Sequence, residues 1–231
     1  MQSSHEVAAR CCRLCWLGRT RYEPVWQLQK RLLEERKSGR GQDVLLLTEH
    51  EPVYTLGRRG TSRDHLLESE AEIRRQGFDL FEVERGGDIT FHGPGQLVGY
   101  PILDLRPFRP DVHYYLRQLE GVLIDTLSDF GIEASAEPGM TGVWTPQGKI
   151  AALGVHIARW ITMHGFALNV STDLSNFCRI VPCGITGRPV TSMSCLLGRP
   201  VTIQEVRSSV QHHFLRRFHY DAFESEHATA H

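Results

Sequence analysis

Between two strand-like runs, residues 78–84 (FDLFEVE) and 97–103 (LVGYPIL), lies ERGGDITFHGPGQ, residues 84–96. Four glycines and a proline stand there with one Arg, one Asp and one His. Glycine reaches positive φ and lets a backbone come close to a ligand, at an entropic cost. Concentrated between two strands, it means either a hairpin connection or a loop shaped for binding. Composition leaves both open, and the rest of the chain has to decide.

The 231 residues suffice to bury a sizeable core in one large domain or two small ones. Hydrophobic residues make up 41% and charged residues 23%, as in ordinary globular chains. A formal net charge of -1 gives no bulk electrostatic case for nucleic acid or an anionic membrane. No apolar run is long enough to span a bilayer. Six unevenly spread cysteines do not make a disulfide scaffold and suit a reducing compartment. The first residues lack the apolar stretch of a secretory signal. Arg10, Arg13 and Arg19 leave a mitochondrial presequence as the alternative to a cytoplasmic protein, and Glu6 argues against it.

In chain order, CRLCWLG predicts a first strand, with Cys11, Cys12 and Cys15 as small hydrophobes rather than metal ligands. Thr20 and Glu23 resemble a capping box opening a helix with Val25, Leu28, Leu32 and Leu33 on one face. Residues 44–48 (VLLLT) predict a buried strand, followed by Arg58 and Arg59 in a Gly-bounded loop. Such a pair is either solvated surface or a contact for an acidic partner or phosphate. Residues 64–76 predict a helix. Asp111 predicts the cap of another running to Phe130, with Val112, Tyr115, Leu116, Leu119, Leu123 and Leu127 inward. Residues 141–144 and 149–157 read as a hairpin and 161–170 as a further strand. Ala151, Ala152, Gly154, Gly165 and Ala167 thin the cover on these strands, leaving room for an elongated apolar ligand or for close strand packing. Residues 171–200 read as loop. Thr202 and Glu205 form a second capping box before a last helix to about Phe218, and the tail from Glu224 reads as frayed.

Cys183, in IVPCGI, is the candidate nucleophile. A cysteine reacts as thiolate and needs a nearby cation or helix N-terminus to do so at neutral pH. Cys178 and Cys195 lack that setting and read as structural. Lys149 opens a strand of small residues, an odd place for a solvated lysine, and could lower the Cys183 thiol pKa and shuttle protons. His92 and His164 are the other candidates for that task.

The motifs EPVYTLGRRG, ERGGDITFHGPGQLVGYPILDL, TGVW…GKIAALGVHI, HGFALNVSTDL and IVPCGI stand in this order. Together they resemble the signatures of the lipoyl(octanoyl) transferases, over nearly the whole chain from about Arg13 to Phe218. The resemblance implies an α+β fold shared with lipoate- and biotin-protein ligases: a mixed central sheet flanked by helices, with a second small sheet. It implies a single catalytic domain at 13–218, an N-terminal extension at 1–12 and a C-terminal tail at 219–231. Cys183 matches the acyl-thioester nucleophile and Lys149 the lysine that activates it. Arg85, Gly86, Gly87, Asp88, Ile89, Thr90, Phe91 and His92 would line the acyl pocket. So would Ala152, Leu153 and Gly154, and likewise Gly165, Phe166 and Ala167. Phe166 stands where leucine is common and Asp88 where the residue varies, so the phenylalanine could change the pocket's shape.

The implied reaction moves an octanoyl group from octanoyl-acyl carrier protein to a lysine of lipoyl domains, with no metal and no nucleotide cofactor. The acceptors would be subunits of 2-oxoacid dehydrogenases and the glycine cleavage H protein, and the enzyme a monomer binding neither nucleic acid nor membrane. The rival readings are an ATP-dependent lipoate or biotin ligase, a thioester hydrolase using Cys183 with His92 or His164, and a non-catalytic carrier-binding module.

Overall fold

The computed structural model describes residues 10–60, 62–181 and 188–227, without the side chains of 222–227. The main sheet is built from β1 (Cys11–Thr20), β2 (Asp43–His50), β6 (Gln96–Ile102), β7 (Ser135–Glu137), β8 (Met140–Thr145), β9 (Gly148–Ala158), β10 (Ile161–Asn169) and β11 (Ala222–His227). Their spatial order is β11-β1-β2-β6-β10-β9-β8-β7. β1 runs parallel to both β11 and β2, and every pairing from β2 through β6, β10, β9 and β8 to β7 is antiparallel. A second sheet of β3 (Val53–Leu56), β4 (Asp79–Glu82) and β5 (Thr90–His92) has the order β4-β3-β5. The expected mixed sheet with a small companion is therefore present.

Period-two alternation sends each strand's residues to two different layers. Leu45, Leu47, Leu97, Phe166 and Leu168 face α3 (Val112–Asp129) and α5 (Ile203–Arg217). Leu46, Val98, Tyr100, Met163 and Ala167 face α1 (Tyr22–Lys37). The small sheet has its own core of Tyr54, Leu56, Ile89 and Phe91, closed by Phe177 and Ile180.

Several expectations need correcting. Thr20 does not cap α1: it ends β1 and bonds the Thr48 hydroxyl, while Arg21 occupies the cap position with no side-chain bond. α1 is held instead by its apolar stripe, in which Gln29 is buried and Leu28 is only half-buried. The helix expected over 64–76 shrinks to α2 (Glu70–Arg75), because Ser69, not Asp64, receives the Glu72 amide. Leu67 is left 60% exposed. Residues 171–200 are not all loop: a 3-10 helix spans Leu174–Arg179, and α4 spans Met193–Leu197 with Ser192 as its cap. Of the stripe on α3, Val112 is exposed. The tail is not frayed throughout, since Ala222–His227 pairs with β1, a long-range contact that local composition does not signal. Cys12 and Cys15 are buried as expected, whereas Cys178 and Cys195 are exposed.

One close contact sets how the strands sit behind the site. A Cβ on Gly99 would lie 2.2 Å from the Phe166 ring, which packs on it from the neighbouring strand. The ring is wedged between strand and helix layer, so it has little freedom to yield. Gly99→Ala should therefore destabilise by about 1–3 kcal/mol through overpacking. Adding Phe166→Leu should recover part of that loss, since the two positions share one space. Urea denaturation of the single and double variants measures both.

Candidate active site

A cavity of about 520 Å³ lies between the α1 face of the main sheet and the small sheet. One wall is strand: Ala152 and Gly154 of β9, Gly165 and Ala167 of β10, then Val98 and Tyr100 of β6. Register places Ala152 opposite Ala167, and Ala167 opposite Val98. The small side chains thus form a shallow trough across three strands. The facing wall carries Arg85, Gly87, Asp88, Thr90 and His92. Tyr22, the first residue of α1, closes the far side, while Arg58, Arg59, Gly139, Met140 and Thr141 also line the cavity.

The Gly-rich loop is fastened by its backbone. The Gly86 amide donates to the Val155 carbonyl at 2.9 Å. The Arg58 amide donates to the Arg85 carbonyl at 3.0 Å and that of Arg59 to Gly87 at 3.2 Å. A Cβ on Gly154 would stand 2.9 Å from the Gly86 carbonyl, so the glycine is what lets loop and strand approach. The Arg85 guanidinium is buried and donates to Thr55 Oγ1 and its carbonyl at 2.9 and 2.7 Å. Asp88 accepts from the Ile89 amide at 2.7 Å and pairs with His65 at 2.8 Å. Burial alone would raise its carboxyl pKa, but these bonds outweigh it and hold the group below the usual range. Ile89 and Phe91 do not reach the cavity: alternation along β5 sends them into the small-sheet core while Thr90 and His92 point inward. Gly86 serves through its backbone. The Phe166 ring packs into the α3 and α5 layer, so what this residue offers the cavity is strand backbone rather than a phenyl group.

Lys149 stands where β9 begins, 7% exposed and lining the cavity. Its side chain passes over Gly142, where a Cβ would be 2.5 Å from Cε. Its Nζ lies 5.1 Å from the centre of the Trp144 ring. Cys183 falls outside the described residues, but both flanks of its segment are fixed. Upstream, the Val181 amide donates to the His65 carbonyl at 2.8 Å. Downstream, the Lys149 amide donates to the Pro189 carbonyl and the Thr191 amide to the Lys149 carbonyl, each at 2.9 Å.

Polar residues that local sequence did not single out tie these parts together. Gln96 Nε2 donates to the Phe91 carbonyl at 3.2 Å and to Asn169 Oδ1 at 2.9 Å. Asn169 Nδ2 donates to the Thr191 carbonyl at 3.0 Å. Because the Phe91 carbonyl can only accept, Gln96 must turn its Oε1 to His92, 2.7 Å from Nδ1. His92 therefore carries its proton on Nδ1 and presents a bare Nε2 to the cavity. His50 Nε2 meets the Tyr100 hydroxyl at 2.8 Å. His164 sits at φ 59°, outside the usual strand range, with its amide donating to Gln29 Oε1 at 3.0 Å. Its Nε2 faces Glu84 at 3.3 Å. Glu84 also accepts from Trp26 Nε1 at 2.9 Å. The carboxyl of Glu84 is driven well below its ordinary pKa, because these bonds overcome a burial effect that acts the other way. The signal available in sequence was a polar residue at the end of an apolar strand, Gln96 at one end of β6 and Asn169 at one end of β10. Tyr22, Tyr100 and His50 had no local signal.

Burial pushes the His92 pKa down to about 3 and that of His50 to about 4, and also lowers His164. Neutral imidazoles, His92 and His164, therefore line the cavity at physiological pH, with His50 behind them. The unfolded chain protonates these groups near pH 6.5, so below that it binds more protons than the fold does. Stability should fall as pH drops from about 6.5 toward 4, each histidine contributing at most about 1.4 kcal/mol per pH unit. Urea midpoints across that range should show the fall, with a shallower slope in His50→Gln.

The sequence profile of the lipoyl protein ligase A/B catalytic domain matches residues 21–215. The octanoyltransferase of Solibacter usitatus is 52% identical over 212 residues, covering 92% of this chain and 95% of that protein. The octanoyltransferase of Gloeobacter violaceus is 50% identical over 208 residues, covering 90% of each. Among solved structures, lipoate-protein ligase A bound with ATP superposes with a TM-score of 0.78 at 17% identity, over 94% of this chain and 89% of that one. A biotin protein ligase from Aquifex aeolicus, in complex with biotin and ATP, gives 0.57 at 15% identity, over 90% and 70%. At these identities the likeness is one of fold. The relatives are bacterial and lend no support to a mitochondrial presequence. No helix among the described residues is long and apolar enough to cross a membrane.

Proposed function

We infer from the family to which this chain belongs, the lipoyl protein ligase A/B catalytic domain and within it the octanoyltransferases, how its site carries out octanoyl transfer. The donor is octanoyl-acyl carrier protein, and the nucleophile is the Cys183 thiolate. The observation that carries the reading is Lys149: a buried cation at the end of a trough of small residues, hydrogen-bonded through its backbone to the segment just beyond Cys183. An ammonium group in that place favours the thiolate. The trough matches an extended apolar chain, which needs length and contact rather than breadth.

Sulfur of Cys183 attacks the thioester carbonyl. A new carbon–sulfur bond forms, the carrier's carbon–sulfur bond breaks, and the departing thiolate takes the proton that Cys183 gave to Lys149. The ε-amine of a lysine on a lipoyl domain then attacks the acyl-enzyme. The carbon–nitrogen bond forms, the bond to Cys183 breaks, and the amine's surplus proton returns through Lys149. Exchange of a thioester for an amide runs downhill without ATP. Backbone N–H groups near the nucleophile stabilise the oxyanion of each step. Arg85 to His92 position the acyl group from one side, and Ala152, Leu153, Gly154, Gly165, Phe166 and Ala167 from the other. The acceptors are the lipoyl domains of 2-oxoacid dehydrogenase subunits and the glycine cleavage H protein. The enzyme acts as a cytoplasmic monomer.

Intact-protein mass measured after mixing with octanoyl-acyl carrier protein, without ATP, should rise by one octanoyl group. The adduct should be labile to hydroxylamine and absent in Cys183→Ser. Acceptor modification that requires free octanoate and ATP would instead mean a ligase, and release of free octanoate with no acceptor a hydrolase. Replacement of Lys149 by Met should shift the pH profile of Cys183 alkylation to higher pH and lower the rate of acyl-enzyme formation by roughly a hundredfold. An unchanged alkylation profile would remove Lys149 from its role.

A further inference from the structure

Beside Lys149 lies a large buried ring whose presence packing does not explain. Trp144 of β8 is 2% exposed, yet among the described residues it belongs to none of the three apolar cores. Its indole N–H is buried with no hydrogen-bond partner among them. An unpaired buried donor weighs against the fold, and a phenyl ring would fill much of the same space without one. The indole has another property: of the aromatic rings it attracts a cation most strongly.

Two cations use that ring. The Arg188 guanidinium carbon lies 4.4 Å from its centre and Lys149 Nζ 5.1 Å. Arg188 is itself anchored by a two-pronged ion pair to Glu137 of β7, one prong at 2.8 Å. Strand register sets Trp144 directly opposite Lys149, and opposed residues of antiparallel strands send their side chains to the same face. The Lys149 stem also runs over Gly142, where a Cβ would lie 2.5 Å from Cε and 3.1 Å from Nζ. Gly142 is fixed in turn, because its amide donates to the buried Glu120 carboxylate at 2.9 Å. Ring and glycine together leave a flexible four-carbon stem little room to swing.

We propose that Trp144 is a positioning residue, whose ring holds the Lys149 ammonium at the end of the trough. The inference rests on the reading of Lys149 as the group that activates Cys183, and adds how that lysine is kept in place. A lysine free to rotate divides its time among many rotamers, and ordering it costs entropy. The ring and Gly142 meet that cost in the fold, before substrate arrives. Trp144 is not among the residues that line the cavity, so it acts on the reaction through Lys149 alone. Loss of the ring therefore slows the step that needs the ammonium and leaves binding of the carrier thioester as it was.

The test measures, in full-length enzyme, the rate of acyl-enzyme formation from octanoyl-acyl carrier protein and the pH profile of Cys183 alkylation. Trp144→Leu should slow acylation roughly tenfold, and Trp144→Phe, which keeps a weaker ring, about threefold. KM for the carrier thioester should stay at the wild-type value in both. The alkylation profile should move to higher pH in the same order, toward that of Lys149→Met. In the Lys149→Met background neither substitution should move the profile further, because a residue that acts through Lys149 then has nothing to act on. Thermal melts establish that each variant is folded, and Trp144→Phe carries the test should the leucine variant not fold. An unchanged profile in folded variants, or an equal shift with and without Lys149, would overturn the assignment while leaving Lys149 its role. A Lys149→Met profile identical to that of the wild type would overturn the underlying reading instead.

Discussion

Everything at the site depends on two backbones approaching where side chains would ordinarily keep them apart. Gly86 donates to Val155 at 2.9 Å, and Gly154 beside it lacks the Cβ that would stand 2.9 Å from the Gly86 carbonyl and force the two apart. That contact hangs the small sheet and its Gly-rich loop over the main sheet, and the space left between them is the cavity. Glycine is entropically costly in such a segment. The cost is offset by fixing a wall against β9 with hydrogen bonds that depend on no side chain. The remaining features of the cavity are consequences of that separation. Small residues line the trough because the loop crosses close above them. Lys149 reaches the cavity because Gly142 lets it pass.

A second constraint links parts that are far apart in sequence. The chain of bonds from His92 through Gln96 and Asn169 to Thr191 joins the Gly-rich loop, the end of β10 and the segment following Cys183. The Thr191 amide continues it to Lys149. Each amide in the chain has one orientation that satisfies its partners. The chain therefore also fixes the His92 tautomer, a chemical property set through Gln96 by the carbonyl of the preceding residue, Phe91. Buried polar networks of this kind are costly when half satisfied and rigid when complete. Here both amide side chains, Gln96 and Asn169, have partners, and they tie the Gly-rich loop to the end of β10 and to Thr191.

Much of this was legible in the sequence, for local reasons. Alternation and turn residues announced β8, β9 and β10, and the cap at Thr202 announced α5, because those signals lie within a few residues of what they control. The small residues of the trough and Lys149 at its end were visible as composition out of keeping with a strand. What was hidden depended on distant partners. Thr20 and Glu23 have the spacing of a capping box, but Thr20 is claimed by Thr48 on the adjoining strand. Tyr22 reads as an ordinary helix residue until α1 is laid on the sheet. Ile89 and Phe91 sit in a motif that lines the cavity through Arg85, Gly87, Asp88, Thr90 and His92, and only the alternation about β5 turns them away from it. The Phe166 ring is an equally clear case: its strand lines the cavity while its side chain belongs to the other layer.

That last distinction bears on how such a pocket can vary. A wall made by strand backbone and small side chains changes shape only when the strands move, and Gly99 and Phe166 lock β6 against β10 from behind. The facing wall is a loop held by its backbone. Neither wall can easily give along the trough. Change of shape is left to the side chains that project into the cavity, Thr90 and His92 from one wall and Val98 and Tyr100 from the other.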